Sequence, residues 1–193
     1  GQAAMDMAGI SFDELRLCEL YSCFPYAVRV QLQEFGMSPQ HNVSVTGGMT
    51  FGGGPLNNFV FQATVKMAQL LRQNPGEAGL VTAVSGMLTK QACAVWSATP
   101  GTEGWACADV TERVREQSGE CELVAQYTGP ASVAGYTVLY QGMDPWRAVA
   151  VFDLPDGRRT VAYSEEPQLM QHMMAQECCG ETYQVADGNF SVA

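Results

Sequence analysis

Basic residues are scarce in this 193-residue chain: ten Lys and Arg stand against twenty Asp and Glu, with two His. No Lys/Arg cluster exists, and Arg158-Arg159 is the only adjacent pair. A nucleic-acid partner needs a basic footprint, so none is expected. Long apolar runs are missing as well. The longest stretch free of Asp, Glu, Lys and Arg, Phe35 to Val65, is broken by Gly47-Gly48, Gly52-Gly53-Gly54, two prolines and Asn57-Asn58, so no membrane span is expected. No signal peptide, internal repeat or low-complexity tract is visible. The chain opens on Gly, and Gln2 to Ala8 already reads as helix, the expectation for a piece of a longer protein.

What is present is apolar enough to fold. Hydrophobic residues make up 47% and charged residues 16%, which excludes disordered, collagen-like and coiled-coil chains. The net charge of −10 is uneven. Residues 1–100 carry net −1 and residues 101–193 net −9. Such an acidic surface serves solubility or an acidic docking face. Cysteine is not scarce, but its seven copies are odd in number and fit no zinc spacing, so no metal site is expected. Cys18 and Cys93 read as core residues, Cys178-Cys179 as a vicinal pair, and the simplest compartment is a reducing cytoplasm. His172 would need a third ligand to make a metal site with that pair. His41, in a Pro39–Asn42 turn, is expected at the surface.

Periodicity gives the organisation. Helices are expected over 2–8, from Pro25 to Gly36 and from about Asn57 to Arg72, with Phe59, Ala63, Met67, Leu70 and Leu71 as the apolar stripe of the third. Asn57 and Asn58 are candidates to cap that helix or to touch a ligand. Strands are expected at Leu15–Leu20, Val43–Thr46, Gly79–Val84 and Gln91–Ser97, with a glycine-rich loop at Gly47–Pro55. Strands alternating with helices imply a sheet covered by helices. The breaker cluster Thr99-Pro100-Gly101 divides the chain into domains 1–99 and 100–193. Beyond it, strands are expected at Cys121–Thr128, Ala134–Gln141, Arg147–Asp153 and Arg159–Tyr163. Gly129-Pro130 and Leu154–Gly157 read as turns, Pro167–Gln176 as a helix with Leu169, Met170, Met173 and Met174 in the core, and Tyr183–Val192 as one more strand or a small hairpin broken at Asp187-Gly188-Asn189. These imply a small antiparallel, OB-like barrel.

Residues 2–96 resemble the C-terminal half of the thiolase family, enzymes that condense or cleave acyl-CoA thioesters. Gly47 to Pro55 looks like the family's GG-x4-GHP loop, Gly79-Leu80 to Gly86 like its GLATLCxG strand, and Glu19-Leu20-Tyr21-Ser22-Cys23-Phe24 stands where its NEAF motif falls. The wording LYSCFP, VSVTGG, GGGPLNN and LVTAVSGMLTK is similar to the bacterial thiolase-like proteins of type 1, which carry an additional C-terminal β domain. The resemblance implies an α/β thiolase-like domain followed by a β-barrel-like domain, an acyl-CoA ligand, no other cofactor, and an N-terminal half that this chain lacks.

It also implies a loss. The loop His that activates the nucleophile is matched by Gly54, and the acid/base Cys by Val84. The Asn and Glu of NEAF are matched by Tyr21 and Ser22, and its Ala by Cys23. Phe24, Gly52, Gly53, Gly54, Pro55, Asn57 and Asn58 would remain as pocket-lining positions. Tyr21 and Ser22 would either bond an acyl carbonyl or fill the vacated pocket. Cys23, close to a helix start, is a reactive thiol or a structural one. Tyr21 is expected to lean into the space left by the lost His, so that Gly54→His would clash.

Overall fold

In the computed structural model, which describes residues 1–101 and 104–192, the chain forms two compact units, Gly1–Glu112 and Arg113–Ala193. The first begins with helix α1 (Gln2–Ala8), closed by Gly9 at φ 67°, a left-handed conformation that glycine adopts without strain. A 3₁₀ turn at Phe12–Glu14 follows, so the strand expected over Leu15–Leu20 shrinks to β1 (Leu17–Glu19). Helix α2 (Pro25–Glu34) starts with proline in its first turn, where the missing N–H costs nothing. Helix α4 (Asn58–Gln73) is preceded by the four-residue α3 (Met49–Gly52), which occupies part of the expected loop. β2 (Ala78–Ser85) and β3 (Met87–Ser97) form a hairpin turning at Gly86.

β1 pairs parallel to β2, and β2 antiparallel to β3, giving a mixed sheet. Helices cover both faces. Leu80 packs with Met5, Leu15, Cys18, Leu20 and the partly buried Val28, Leu32 and Phe35. Its neighbour Val81 faces Ala63, Met67 and Leu71 of α4. This two-sided burial explains the continuous apolar reading of β2. Gly79 lets α4 approach, since a methyl group there would overlap the Met67 sulfur.

Two expectations fail here for identifiable reasons. Val43–Thr46 is not a strand and makes only one isolated bridge, Ser44 to Glu19. The N–H groups of Val45 and Thr46 are taken by the buried Glu19 carboxylate, both at 2.9 Å, instead of by a ladder. Neither Asn57 nor Asn58 caps α4: Asn57 is the N-cap without a side-chain bond, and Asn58 is already helical.

Helix α5 (Thr111–Gln117), which no expected element covers, spans the boundary between the two units; the Asp109 carboxylate accepts from Thr111 N–H at its start. Strands β4 (Gly129–Gln141), β5 (Asp144–Asp153), β6 (Arg159–Ser164), β7 (Thr182–Ala186) and β8 (Asn189–Val192) close into a barrel in the order β4-β5-β6-β8-β7. All pairings are antiparallel except β6 with β8. Ala148, Ala150 and Phe152 alternate inward along β5, and Phe152, Tyr183 and Phe190 meet edge-on in the core. Helix α6 (Pro167–Ala175) adds Leu169, Met170 and Met173. Met174, expected in the core, is exposed and accepts a hydrogen bond from Tyr140.

Cys121–Thr128 is not a strand. It is tied to β6 by the Leu123–Arg159 bridge, by Val124 N–H donating to Arg159 O, by Arg159 N–H donating to Glu122 O and by the Thr160 hydroxyl donating to Val124 O. Gly129-Pro130 opens β4 rather than forming a turn, with Pro130 opposite Gln184. Among the described residues no helix is long and apolar enough to cross a membrane.

Candidate functional site

The segment Tyr21–Phe24 links β1 to α2, and its backbone is held by a buried polar network. Tyr21 N–H donates to Thr82 Oγ1 at 2.8 Å, and that hydroxyl donates to Gln31 Oε1 at 2.6 Å. Gln31 Nε2 in turn donates to the carbonyls of Tyr21 and Ala27, at 3.0 and 2.9 Å. Thr82 on β2 and Gln31 on α2 are both buried, and every polar atom in the set has a partner. A satisfied network of this kind rigidifies what it holds. Neither residue was singled out from sequence, because a Thr inside a strand and a Gln inside a helix carry no local signature.

The glycine segment is tied to the same place. Ser22 Oγ accepts from Met49 N–H at 2.9 Å, the first residue of α3. Gly48 stands at φ 71°, and a methyl group added there would sit 2.9 Å from Ser22 Oγ. Ahead of it, Glu19 accepts from the Ser44 and Thr46 hydroxyls and from the N–H groups of Val45 and Thr46, so the approach to the loop is clamped by one carboxylate. The Tyr21–Phe24 segment and the glycine segment are therefore brought together by the bond from Met49 to Ser22, 27 residues apart in sequence.

Other expected positions separate. Gly52 lies near Phe59 and Gln62, whereas Gly53 and Gly54 have open space around an added Cβ. Tyr21 does not lean toward Gly54. Its ring is buried and meets Phe59 of α4 edge-on, with centroids 5.7 Å apart, which corrects the expected clash. Val84 is half-buried near the end of β2, paired with Gln91 beside an irregularity in the register. Cys23 is half-buried. Pro55 accepts from Asn58 N–H, and between them Leu56 takes φ 53°, an uncommon conformation for a branched residue, with its side chain 80% exposed. Phe24 is also exposed, as are Tyr26, Phe51, Phe61 and Val65 on the adjoining segments.

His41, expected at the surface, is half-buried with Nε2 3.6 Å from the Cys18 sulfur. Burial and the neighbouring Glu19 carboxylate push the Cys18 thiol up to about 12, so it is not a nucleophile at neutral pH. His172, Cys178 and Glu181 lie together on the second unit, supplying the third potential ligand that the sequence reading lacked.

No model of a known protein family matches the chain, and no curated protein matches it. Among solved structures it is similar to a monomeric SCP2-thiolase like protein type 1 from Mycobacterium smegmatis. The TM-score is 0.88 at 24% identity, over 100% of this chain and 44% of that one. The chain thus has an SCP2-thiolase-like fold, and it spans less than half the length of that neighbour.

Proposed function

We propose that this chain is the C-terminal part of a thiolase-like protein that binds an acyl-CoA thioester without performing the thiolase reaction. In this reading residues 1–99 are the thiolase-like C-terminal domain, and residues 100–193 are an additional OB-like β domain. An N-terminal half completes the pocket. A cytoplasmic location goes with it, on the odd cysteine count. Support for the OB-like description comes from the closed five-stranded barrel, with α6 between its third and fourth strands.

The observation that carries the proposal is the Ser22–Met49 hydrogen bond. It joins the two segments whose counterparts in thiolases shape the pocket, while Gly54 and Val84 offer no group that exchanges a proton. The scaffold around the pocket is built with care; the acid and base are not. Phe24, Gly52, Gly53, Gly54, Pro55, Asn57 and Asn58 line the acyl-CoA path in this account, and the side-chain-free loop admits the thioester close to the main chain.

A second reading, a protein-interaction scaffold, draws on the exposed Phe24, Tyr26, Phe51, Leu56, Phe61 and Val65. All six are large apolar side chains in residues 24–65, and an interaction surface would cover them.

The test is an assay for CoA release from acetyl-CoA and acetoacetyl-CoA by the 193-residue chain. No turnover is expected. Release that disappears in Cys23→Ala would make Cys23 a catalytic residue and overturn the proposal.

A further inference from the structure

On the second unit, three side chains of different chemistry converge. His172 comes from the last turn of α6, Cys178 from the connection after it, and Glu181 from the residue before β7. Their imidazole nitrogen, thiol sulfur and carboxylate oxygen all lie within 4.8 Å of one another, with His172 Nε2 3.4 Å from Glu181 Oε2. We propose that His172, Cys178 and Glu181 form a zinc-binding site.

The ligand set suits that ion, since imidazole, thiolate and carboxylate together are the donors zinc takes. Tetrahedral zinc with bonds of about 2.0–2.3 Å needs its ligand atoms about 3.3–3.8 Å apart. The His172–Glu181 separation already fits, and the widest pair has only about 1 Å to close. Three protein ligands leave a fourth position for water. On binding, the thiol proton passes to solvent and the sulfur becomes the thiolate ligand.

The backbone around the cluster is fixed. Glu181 N–H donates to Cys178 O at 3.0 Å, closing a four-residue turn that puts both side chains at its ends, with Gly180 at φ 89° inside it. That turn is pinned to β4 by Gly180 N–H to Val133 O and by Val133 N–H to Glu181 O, at 2.8 and 2.9 Å. Tyr136 OH accepts from Cys178 N–H and donates to Gln176 O. Tyr183 OH donates to Glu181 Oε2 at 2.7 Å, the kind of outer contact that orients a ligating carboxylate.

A plain surface ion pair would account for His172 and Glu181 alone. It does not account for the Cys178 sulfur, which is buried beside them, touches the Glu181 carboxylate and the Tyr183 hydroxyl, and lies 3.7 Å from Gln176 O. The buried thiol and two half-exposed side chains place the ion at the rim of the barrel, where solvent supplies it.

The experiment is titration of the metal-free chain with Co²⁺, followed by displacement with Zn²⁺. The expected result is one bound ion per chain and a thiolate-to-cobalt charge-transfer band that Zn²⁺ abolishes. Cys178→Ser should remove the band, and Cys179→Ser should leave it. His172→Ala and Glu181→Gln, neither at a buried position, should each weaken Zn²⁺ binding at least ten-fold, and Tyr183→Phe about ten-fold. Absence of the band in wild type, a band that survives in Cys178→Ser, or Zn²⁺ affinity unchanged in both His172→Ala and Glu181→Gln would overturn the proposal.

Discussion

Tyr21 meets Phe59 edge-on, with ring centroids 5.7 Å apart and planes at 89°, and both side chains are buried. Tyr21 is therefore committed to the core beneath α4. A methyl group at Gly54 meets nothing within 4 Å. Gly54→His should accordingly shift stability by less than about 0.5 kcal/mol, as surface changes do, and show no coupling to Tyr21→Asn in a double-mutant cycle. A loss of about 1–3 kcal/mol, the cost of overpacking, would mean that the pocket is filled. The measurement is the denaturant midpoint of each variant.

The Glu19 carboxylate is buried and accepts from two hydroxyls and two backbone N–H groups in residues 44–46. Glu19→Ala removes the acceptor and orphans those donors, each worth about 1–3 kcal/mol when left unsatisfied. We expect a total loss of about 3 kcal/mol or more in urea unfolding, and faster amide exchange at Val45 and Thr46. Exchange that stays slow at both would show that another group holds the segment.

The Cys18 thiol is pushed up to about 12 by burial and by Glu19. Its ordinary value is about 8.5, so the folded state binds this proton more tightly than the unfolded state does. The resulting stabilisation is complete below about pH 8.5 and is lost as pH rises toward about 12. Stability measured from pH 8 to 11 should fall more steeply in wild type than in Cys18→Ala. At pH 8, iodoacetamide should modify the exposed Cys107, Cys121 and Cys179 in the native chain and spare Cys18. Parallel pH curves, or early labelling of Cys18, would contradict this.

Leu56 sits at φ 53° with its side chain in solvent. The left-handed conformation costs a residue with a Cβ about 1–2 kcal/mol, and glycine's extra chain entropy returns about 0.5–1 kcal/mol of that. Leu56→Gly should thus stabilise the chain by up to about 1 kcal/mol in a thermal or urea melt. A clear destabilisation would show that the Leu56 side chain is packed against something.

Much of the fold was legible because punctuation and period agree. Pro25 and Gly36 bracket α2, Asn74-Pro75-Gly76 ends α4, and the two-sided burial of β2 reads as an unbroken apolar run. Val43–Thr46 misled because an apolar run between turns looks like a strand, while the N–H groups of Val45 and Thr46 are satisfied by a carboxylate 26 and 27 residues upstream. Of the candidate site, the resemblance to thiolases pointed to the segments Tyr21–Phe24 and Gly47–Pro55 but placed Tyr21 against Gly54, whereas Ser22 and Met49 make the contact. The side chains that hold that arrangement, Gln31, Thr82 and Glu19, were not, since long-range polar contacts leave no local pattern. Glu181 escaped notice beside His172 for the same reason: the turn that brings it next to Cys178 depends on contacts with β4.

The central claim is that this scaffold binds an acyl-CoA and leaves it intact. Amide hydrogen exchange of the chain joined to the N-terminal half that completes the pocket, with and without saturating acetyl-CoA and with free CoA monitored in the same samples, measures both. The prediction is slowed exchange confined to residues 21–24 and 47–58, with no CoA released. Unchanged exchange in those segments, or release of CoA that depends on the chain, would contradict it.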